Sequence, residues 1–218
     1  MTISLFMPVY KRFAYVPDIL QAWQSQVDEI VVWDDSCDLS REYPQGVTVI
    51  RSTRPMGSHI KFKVAQLLEN DVALIVDDDI VPHCGLVDAL MAHYRPDRVL
   101  TVFGRKLNAA GYKNKSCPLQ RSDKIAELTK VDWGGRLLIG ARERFMLDVS
   151  GCLDTVLDDL YWSFQLKVKC PDAQIFVVPT DKWHNSDDAN DKHSLSKTPN
   201  YWVKRDEYVR ANYSKIFA

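Results

Sequence analysis

Short apolar runs alternate with amphipathic segments over the first hundred residues of this 218-residue chain. Four runs rich in β-branched and aromatic residues end in polar side chains, as buried strands do, at residues 3–8, 29–33, 47–50 and 72–76. Residues 16–23 and 58–70 instead space their apolar positions as a helix does. Because continuous apolar strands alternate with helices, the pattern predicts an α/β fold with a mainly parallel sheet flanked by helices.

The pattern is less regular in the rest of the chain. We expect, in order, a helix, a strand, a long polar stretch, an apolar strand and a last strand, at residues 84–94, 99–103, 104–130, 137–141 and 174–179. A further helix is predicted to begin beyond Asp158 and Asp159, and a closing loop and terminal helix to follow residue 180. The length indicates a single domain.

The ends of the predicted strands carry most of the notable polar side chains. They are Tyr10, Arg12, Asp34, Asp35, Arg54 and the triplet Asp77, Asp78 and Asp79. In parallel sheets the carboxyl ends of the strands meet at one edge, and ligands bind there. The sequence therefore predicts a binding site at this edge.

The triplet Asp77, Asp78 and Asp79 directly follows an apolar strand. Three adjacent carboxylates repel one another unless a cation lies nearby, and Mg²⁺ or Mn²⁺ takes such oxygen ligands while keeping positions open for phosphates. A divalent ion there would stabilise a departing diphosphate, which predicts transfer of a sugar from a nucleotide-diphosphate donor. The alternative is a solvated acidic loop that caps the next helix.

Three further side chains have two interpretations each. Asp34 and Asp35 could accept hydrogen bonds from a base or ribose, or form an Asx-type turn. His184 could be an additional metal ligand, although a surface or core histidine is the commoner case and His193 is an equal competitor.

Composition limits the classes of protein. The formal net charge of −1 gives no global field that would collect polyanions, which disfavours a protein that only binds nucleic acid. No apolar run is long enough for a signal peptide or a membrane span, so we expect a soluble cytoplasmic protein, in the host cytoplasm if phage-encoded. Five cysteines without close pairing indicate free thiols in a reducing compartment.

A local basic excess lies between residues 105 and 130. Its members are Arg105, Lys106, Lys113, Lys115, Arg121, Lys124 and Lys130. Such a stretch could receive an anionic acceptor, with Tyr112, Trp133 or Trp183 available for stacking. The alternative is a solvated, mobile loop.

The order of several short segments resembles the exostosin-type α-N-acetylhexosaminyltransferases, a GT-A-fold family. The similar segments are residues 7–12, residues 31–35, Lys61 with Phe62, residues 76–79, residues 138–141, Asp158 to Leu160 with Phe164, and Leu195 and Ser196 with Arg205. Each segment alone is common; their shared order spans most of the chain.

This resemblance implies a UDP-sugar donor, a retaining reaction and Mn²⁺ or a similar ion. Asp79 would be the main metal ligand, Asp77 would contact the metal or the donor ribose, and Asp78 is the least defined of the three. Asp159, with its neighbour Asp158, would lie beside the reacting carbon and Arg205 beside the diphosphate. The other implied donor contacts are Pro8, Tyr10, Arg12, Asp34, Asp35 and Lys61.

The chain departs from the family pattern at three positions. Leu157 and Tyr208 stand where the family has a disulfide, as suits a reducing compartment. Lys61 stands in place of an arginine, which keeps the charge and loses the bidentate geometry.

The predicted function is a metal-dependent hexosyl- or pentosyltransferase. Residues 1–100 would form the donor half, and residues 101–218 the acceptor half, with Arg105, Lys106 and Trp133 as candidate acceptor contacts. A glycan or glycan precursor is slightly favoured as acceptor over a hydroxymethylated base of phage DNA. Alternatives from other classes are a non-catalytic sugar-nucleotide-binding module and a metal-dependent phosphohydrolase.

Overall fold

A computed structural model describes residues 1–113, 115–152, 154–186 and 195–217. Four α-helices, α1 to α4, span Val16–Gln24, Leu86–Met91, Asp158–Lys169 and Tyr201–Ile216. Strands β1 to β7 span Ile3–Val9, Glu29–Asp34, Thr48–Arg51, Val72–Val76, Ile80–Pro82, Arg98–Thr101 and Phe103–Arg105. Strands β8 to β13 span Leu119–Arg121, Thr129–Val131, Trp133–Gly134, Leu137–Ala141, Gln174–Val177 and Trp183–Asn185.

Eight strands form the central sheet in the order β3-β2-β1-β4-β11-β6-β12-β9. The first four are mutually parallel. Strand β11 is antiparallel to both of its neighbours, β12 is parallel to β6, and β9 is antiparallel to β12. The predicted α/β fold with a mainly parallel sheet is therefore confirmed, with two antiparallel strands in its second part.

Both faces of the sheet are covered, as the continuous apolar strands predicted. In β1, Leu5 and Met7 join one buried cluster, whereas Phe6 between them joins the cluster on the other face. Helix α1 contributes Trp23 to the first cluster, and α3 contributes Trp162 to the second. A smaller core, which includes Trp133, fixes α4 against α3.

The structure differs from the predicted elements in three places. Residues 58–70 form two short 3₁₀ helices, Ser58–Phe62 and Ala65–Leu67, instead of one α-helix. Their apolar side chains pack by tertiary contact, because the ring of Phe62 stacks on Trp162 at 5.2 Å. The predicted strand over 99–103 is divided between β6 and β7, and the polar stretch over 104–130 contains β8 and part of β7 and β9.

Two features after the triplet position the site. Strands β5 and β13 form a separate two-stranded ribbon next to the triplet, and α3 begins at Asp158, so the acidic pair lies within the helix instead of before it as predicted. Among the described residues, no helix combines the length and the apolarity needed to cross a membrane.

Candidate active site

The aspartate triplet follows β4 at the carboxyl edge of the parallel strands, where it meets Arg12 from the loop after β1. The guanidinium of Arg12 lies 2.8 Å from Asp78 Oδ1 through one terminal nitrogen and 2.6 Å from Asp79 Oδ2 through the other. Burial alone would lower the pKa of Arg12, but Asp78 and Asp79 raise it above its usual range. The predicted clustering of these residues at one edge is confirmed.

Asp78 is the most enclosed carboxylate of the triplet, with 5% of its surface exposed. Burial raises the pKa of Asp78 from its usual 3.8 to about 7; Arg12 opposes this shift, and Asp79 and Asp77 add to it. Burial and the two neighbouring carboxylates therefore favour the protonated form of Asp78 when no further cation lies nearby.

Lys61 joins the triplet to the start of α3. Its buried Nζ lies 3.2 Å from Asp77 Oδ1 and 3.2 Å from Asp158 Oδ2. Burial would lower the pKa of Lys61, but Asp158 and Asp77 outweigh this and raise it. Because Phe62 stacks on Trp162 of α3, Lys61 reaches both carboxylates at once.

Asp158 and Asp159 lie in the first turn of α3, where the positive end of the helix dipole favours carboxylates. Asp158 Oδ1 accepts the backbone N–H of Asp159 at 2.7 Å. Asp159 Oδ1 lies 2.8 Å from a terminal nitrogen of Arg205, a residue of α4. Burial raises the pKa of Asp159, and Arg205 opposes that rise. The pair is buried and held from both sides.

Arg205 is 1% exposed although it carries a full charge. Its guanidinium donates to the carbonyl of Val156 at 2.7 Å. Its central carbon lies 4.4 Å from the ring of Tyr112 and 5.2 Å from the rings of Trp133 and Tyr201. These aromatic faces stabilise a desolvated cation, so α4 delivers Arg205 to Asp159 in one fixed position.

Three sets of ion pairs, centred on Arg12, Lys61 and Arg205, are linked by adjacent carboxylates in the chain into a network of eight charged groups. Five are carboxylates, Asp77, Asp78, Asp79, Asp158 and Asp159, and three are cations, Arg12, Lys61 and Arg205. The network therefore carries two negative charges in excess when all groups are ionised. A divalent cation would balance that excess.

The chemistry of the triplet fits Mg²⁺ or Mn²⁺. Asp79 Oδ1 is buried and has no hydrogen-bond partner within the described part of the chain, and the side chain of Asp77 is 31% exposed. No group of three or more His, Cys, Asp or Glu side chains suited to a metal occurs among the described residues. One or two carboxylates with substrate phosphates are a usual environment for Mg²⁺, so Asp79 and Asp77 would share the ion with a phosphorylated ligand.

The predicted base or ribose contacts at β2 have a different environment. Asp35 accepts the backbone N–H groups of Met56 and Gly57 at 2.7 and 2.8 Å, so its carboxylate holds the loop after β3. Asp34 Oδ1 accepts the N–H of Ser36 at 3.0 Å, which is the Asx-type turn of the alternative interpretation. A nucleotide contact by either residue stays a prediction.

Pro8 and Tyr10 belong to the same edge of the sheet. Pro8 lies within β1, paired with Trp33 of β2, and the side chain of Tyr10 is exposed beside Lys11, whose Nζ lies 4.9 Å from the ring. The backbone of Tyr10 hydrogen-bonds the carboxylate of Asp78 and helps to ionise it. Tyr10 therefore contacts the triplet through its backbone, and its ring is exposed.

His184 lies on β13, which pairs with the strand that follows the triplet. Its Nδ1 lies 2.8 Å from Nε2 of His83, so the structure places this imidazole with a second histidine. A role of His184 as a ligand of the Asp79 metal stays a prediction, and its competitor His193 lies outside the described residues.

The candidate acceptor residues are not equally placed. Trp133 is buried against Arg205, Arg105 donates to the carbonyl of Cys117 at 2.6 Å, and Lys106 is exposed. Gly135 lies beside them: a Cβ there would be 2.6 Å from the ring of Trp133 and 2.9 Å from Asp159 Oδ2. Only glycine therefore fits between this indole and the carboxylate without a shift.

Sequence reasoning missed Arg136. This residue has a positive φ of 65°, its carbonyl accepts the backbone N–H of Asp77 at 2.8 Å, and its guanidinium donates to Asn185 at 2.6 Å. It ties the triplet to β13, yet it precedes an ordinary apolar strand. Nothing in the local pattern marks an arginine for this position.

No family model matches the chain, and no curated protein matches it. Among solved structures, the chain is similar to the bifunctional IspDF from Campylobacter jejuni, with a TM-score of 0.51 and 14% identity over 83% of this chain and 50% of that one. It is also similar to glucosyl-3-phosphoglycerate synthase from Mycobacterium tuberculosis in complex with Mn²⁺, UDP and phosphoglyceric acid, with a TM-score of 0.50 and 15% identity over 80% and 66%. The chain spans between half and just under two thirds of the length of these proteins. At such identities the likeness supports the predicted fold, and membership of the exostosin-type family stays a prediction.

Proposed function

We propose that this chain is a metal-dependent glycosyltransferase that moves a hexosyl or pentosyl group from a UDP-sugar to a hydroxyl acceptor. The observation that carries the proposal is the network at the carboxyl edge of the sheet, with five carboxylates, three cations and an oxygen of Asp79 that has no hydrogen-bond partner among the described residues. A site with two negative charges in excess when all its groups are ionised favours a divalent cation, and with it an anionic donor. Mn²⁺ and UDP in the similar synthase structure support the same ligands.

The position of each side chain determines its proposed role toward the donor. A divalent cation at Asp79 and Asp77 would stabilise the negative charge that grows on the diphosphate as the glycosidic bond breaks. Arg12, 23% exposed beside the triplet, is placed to accept part of that charge. Arg205 is fixed further in, so its role toward the donor phosphate requires the ligand to approach Asp159.

Asp159 has the chemistry needed at the reacting carbon. A carboxylate beside a developing oxocarbenium ion stabilises its positive charge, and it can also orient the acceptor hydroxyl. Arg205 and the helix dipole keep Asp159 in one position. Retention of anomeric configuration rests on the family resemblance and forms part of the proposal.

The acceptor is proposed to be a glycan or glycan precursor with anionic character. Exposed Lys106 and the other lysines of residues 105–130 supply positive charge, and Trp133 borders Gly135 and Asp159. A hydroxymethylated DNA base is the second candidate, since the same stretch combines cations with aromatic rings. All five cysteines are free, which suits the proposed cytoplasmic location.

A donor screen tests the proposal. The protein is incubated with Mn²⁺ and a panel of nucleotide sugars, and release of UDP is measured alone, with anionic glycans and with hydroxymethylated DNA. We expect UDP release from one UDP-sugar that depends on Mn²⁺ and is lost in Asp79→Asn. Asp154→Asn is a matched control, because Asp154 pairs with Lys204 outside the network.

Several outcomes would overturn the proposal. Absence of turnover and of binding for every nucleotide sugar, with or without metal, would remove it. Release of inorganic phosphate without sugar transfer would indicate a phosphohydrolase. Binding of UDP, with every activity unchanged in Asp159→Ala, would indicate a non-catalytic module. Pyrophosphate release from a nucleoside triphosphate would indicate nucleotidyl transfer at the same sheet edge.

A further inference from the structure

The ribbon formed by β5 and β13 presents two histidines that the proposed function does not use. His83 follows β5 and His184 lies within β13, and both are exposed. Nε2 of His83 and Nδ1 of His184 are 2.8 Å apart, with the ring centroids at 5.0 Å. Two imidazole nitrogens therefore converge at the surface, from positions 101 residues apart in the chain.

The backbone holds these rings in place. Antiparallel pairing sets Trp183 opposite Pro82 and His184 opposite Val81, and the N–H of His83 donates to the carbonyl of Lys182 at 2.7 Å. Two ligands carried by a paired ribbon lose little conformational freedom when they bind a common ion. Chelation therefore needs adjustment of side chains only.

We propose that His83 and His184 form a site for a borderline divalent metal ion, namely Zn²⁺, Ni²⁺ or Cu²⁺, separate from the carboxylate site at Asp79. Nitrogens at 2.0–2.1 Å from a tetrahedral ion are about 3.3 Å apart. The observed separation is about half an ångström shorter, which corresponds to the hydrogen bond that the two rings make without an ion. Rotation of two exposed side chains supplies the difference, and water completes the coordination.

The chemistry of the two sites separates their metals. Imidazole nitrogen favours Zn²⁺, Ni²⁺ and Cu²⁺, whereas carboxylate and phosphate oxygens favour Mg²⁺ and Mn²⁺. Mn²⁺ is also the weakest of the first-row divalent ions at a given site. We therefore expect the histidine pair to bind Zn²⁺ at metal concentrations at which it does not bind Mn²⁺.

The position of the pair gives the bound ion a structural consequence. Ser186 directly follows the strand that carries His184, and its N–H donates to the carbonyl of Asp79 at 2.8 Å. An ion that clamps β13 to β5 would therefore stabilise the ribbon whose end contacts the triplet. Its effect on the proposed donor site would act through the backbone, without a ligand shared between the two ions.

Titration of tag-free protein with Zn²⁺ against a chromophoric competitor, under a metal-free reductant, tests the proposal. The variants are His83→Ala, His184→Ala and, as a matched control away from the ribbon, His93→Ala. We expect at least a tenfold loss of Zn²⁺ affinity in each ribbon variant and no change in His93→Ala. Zn²⁺ should also raise the Tm of the wild type and fail to raise that of either ribbon variant.

The outcome is independent of the proposed function, because the measurement uses no nucleotide and no Mn²⁺. Circular dichroism without metal checks that the variants are folded. Equal Zn²⁺ affinity in all four proteins would overturn the proposal.

Discussion

The carboxylates at the end of β4 and those at the start of α3 have the same chemistry in different environments. The side chain of Asp77 is 31% exposed, and Arg12, which pairs with the neighbouring Asp78 and Asp79, is 23% exposed. The side chains of Asp158 and Asp159 are 6% and 12% exposed, and Arg205, the counter-ion of Asp159, is 1% exposed. An open group can exchange a protein partner for a ligand, whereas a buried pair is fixed once the protein has folded. Asp78 and Asp79 are 7% and 9% exposed, like the carboxylates of α3. The difference therefore lies in Asp77 and Arg12 at the β4 end, which suit ligand exchange, and in Arg205 at the α3 end, which suits positioning.

The largest expected effect on stability comes from removing the cation that pairs with Asp159 at the start of α3. Arg205→Met should lower the free energy of unfolding by about 3–5 kcal/mol, because it leaves Asp159 buried without its counter-ion. Urea denaturation measures the loss. Arg12→Met should cost less than half as much, and Mn²⁺ should restore its stability but not that of Arg205→Met. Equal losses in both variants would show that the two ends do not differ.

The next effect concerns catalysis by Asp159 at the start of α3. Asp159→Asn keeps the shape of the side chain and removes its charge, so we expect kcat of sugar transfer to fall roughly 10²- to 10³-fold with UDP affinity retained. Steady-state kinetics and calorimetry separate the two quantities. A matching loss of UDP affinity, with kcat unchanged, would assign Asp159 to donor binding instead.

The pH dependence of stability probes Asp78, at the end of β4. Because the pKa of Asp78 rises from 3.8 to about 7 on folding, folded Asp78 holds a proton between these values that the unfolded chain has released. Its contribution therefore falls as pH rises through this window and is lost above about 7. Wild-type protein should lose about 2–3 kcal/mol more than Asp78→Asn between pH 4.5 and 7.5. Parallel pH profiles of the two proteins in metal-free urea denaturation would contradict this.

The smallest expected effect comes from competition between Arg12 and a metal ion for Asp79. Arg12 occupies Asp79 Oδ2 at 2.6 Å, so it should oppose a metal at that carboxylate and favour a diphosphate. Arg12→Met is expected to raise Mn²⁺ affinity about tenfold without nucleotide and to lower UDP affinity by a similar factor, a change of about 1.4 kcal/mol in each. Electron paramagnetic resonance measures free Mn²⁺, with the exposed neighbour Lys11→Met as control. Unchanged Mn²⁺ affinity in Arg12→Met would refute the competition.

The sequence predicted the parts of the molecule that local pattern controls. Apolar strands β1, β2 and β4 end in charged residues, so the meeting of Arg12 with the triplet followed from the periodicity and the parallel sheet. The helix expected over residues 58–70 was wrong, because stacking of Phe62 on Trp162 decides that segment.

Long-range contacts account for the rest of the site. The bridge from Asp77 through Lys61 to Asp158 joins residues 81 positions apart at its ends, and no local signal encodes it. Arg136 and the His83–His184 pair depend on which strands become neighbours across β4, β11 and the ribbon. Such groups appear only once the chain has folded.

The central claim is that the carboxylates at the β4 end hold a divalent cation together with a nucleoside diphosphate. Calorimetric titration of UDP into wild type and Asp79→Asn, each with Mn²⁺ and with a chelator, tests it most directly. We predict that Mn²⁺ raises UDP affinity at least tenfold in the wild type and leaves it unchanged in Asp79→Asn. Equal UDP affinity in all four titrations, or an Mn²⁺ effect that survives in Asp79→Asn, would contradict the claim.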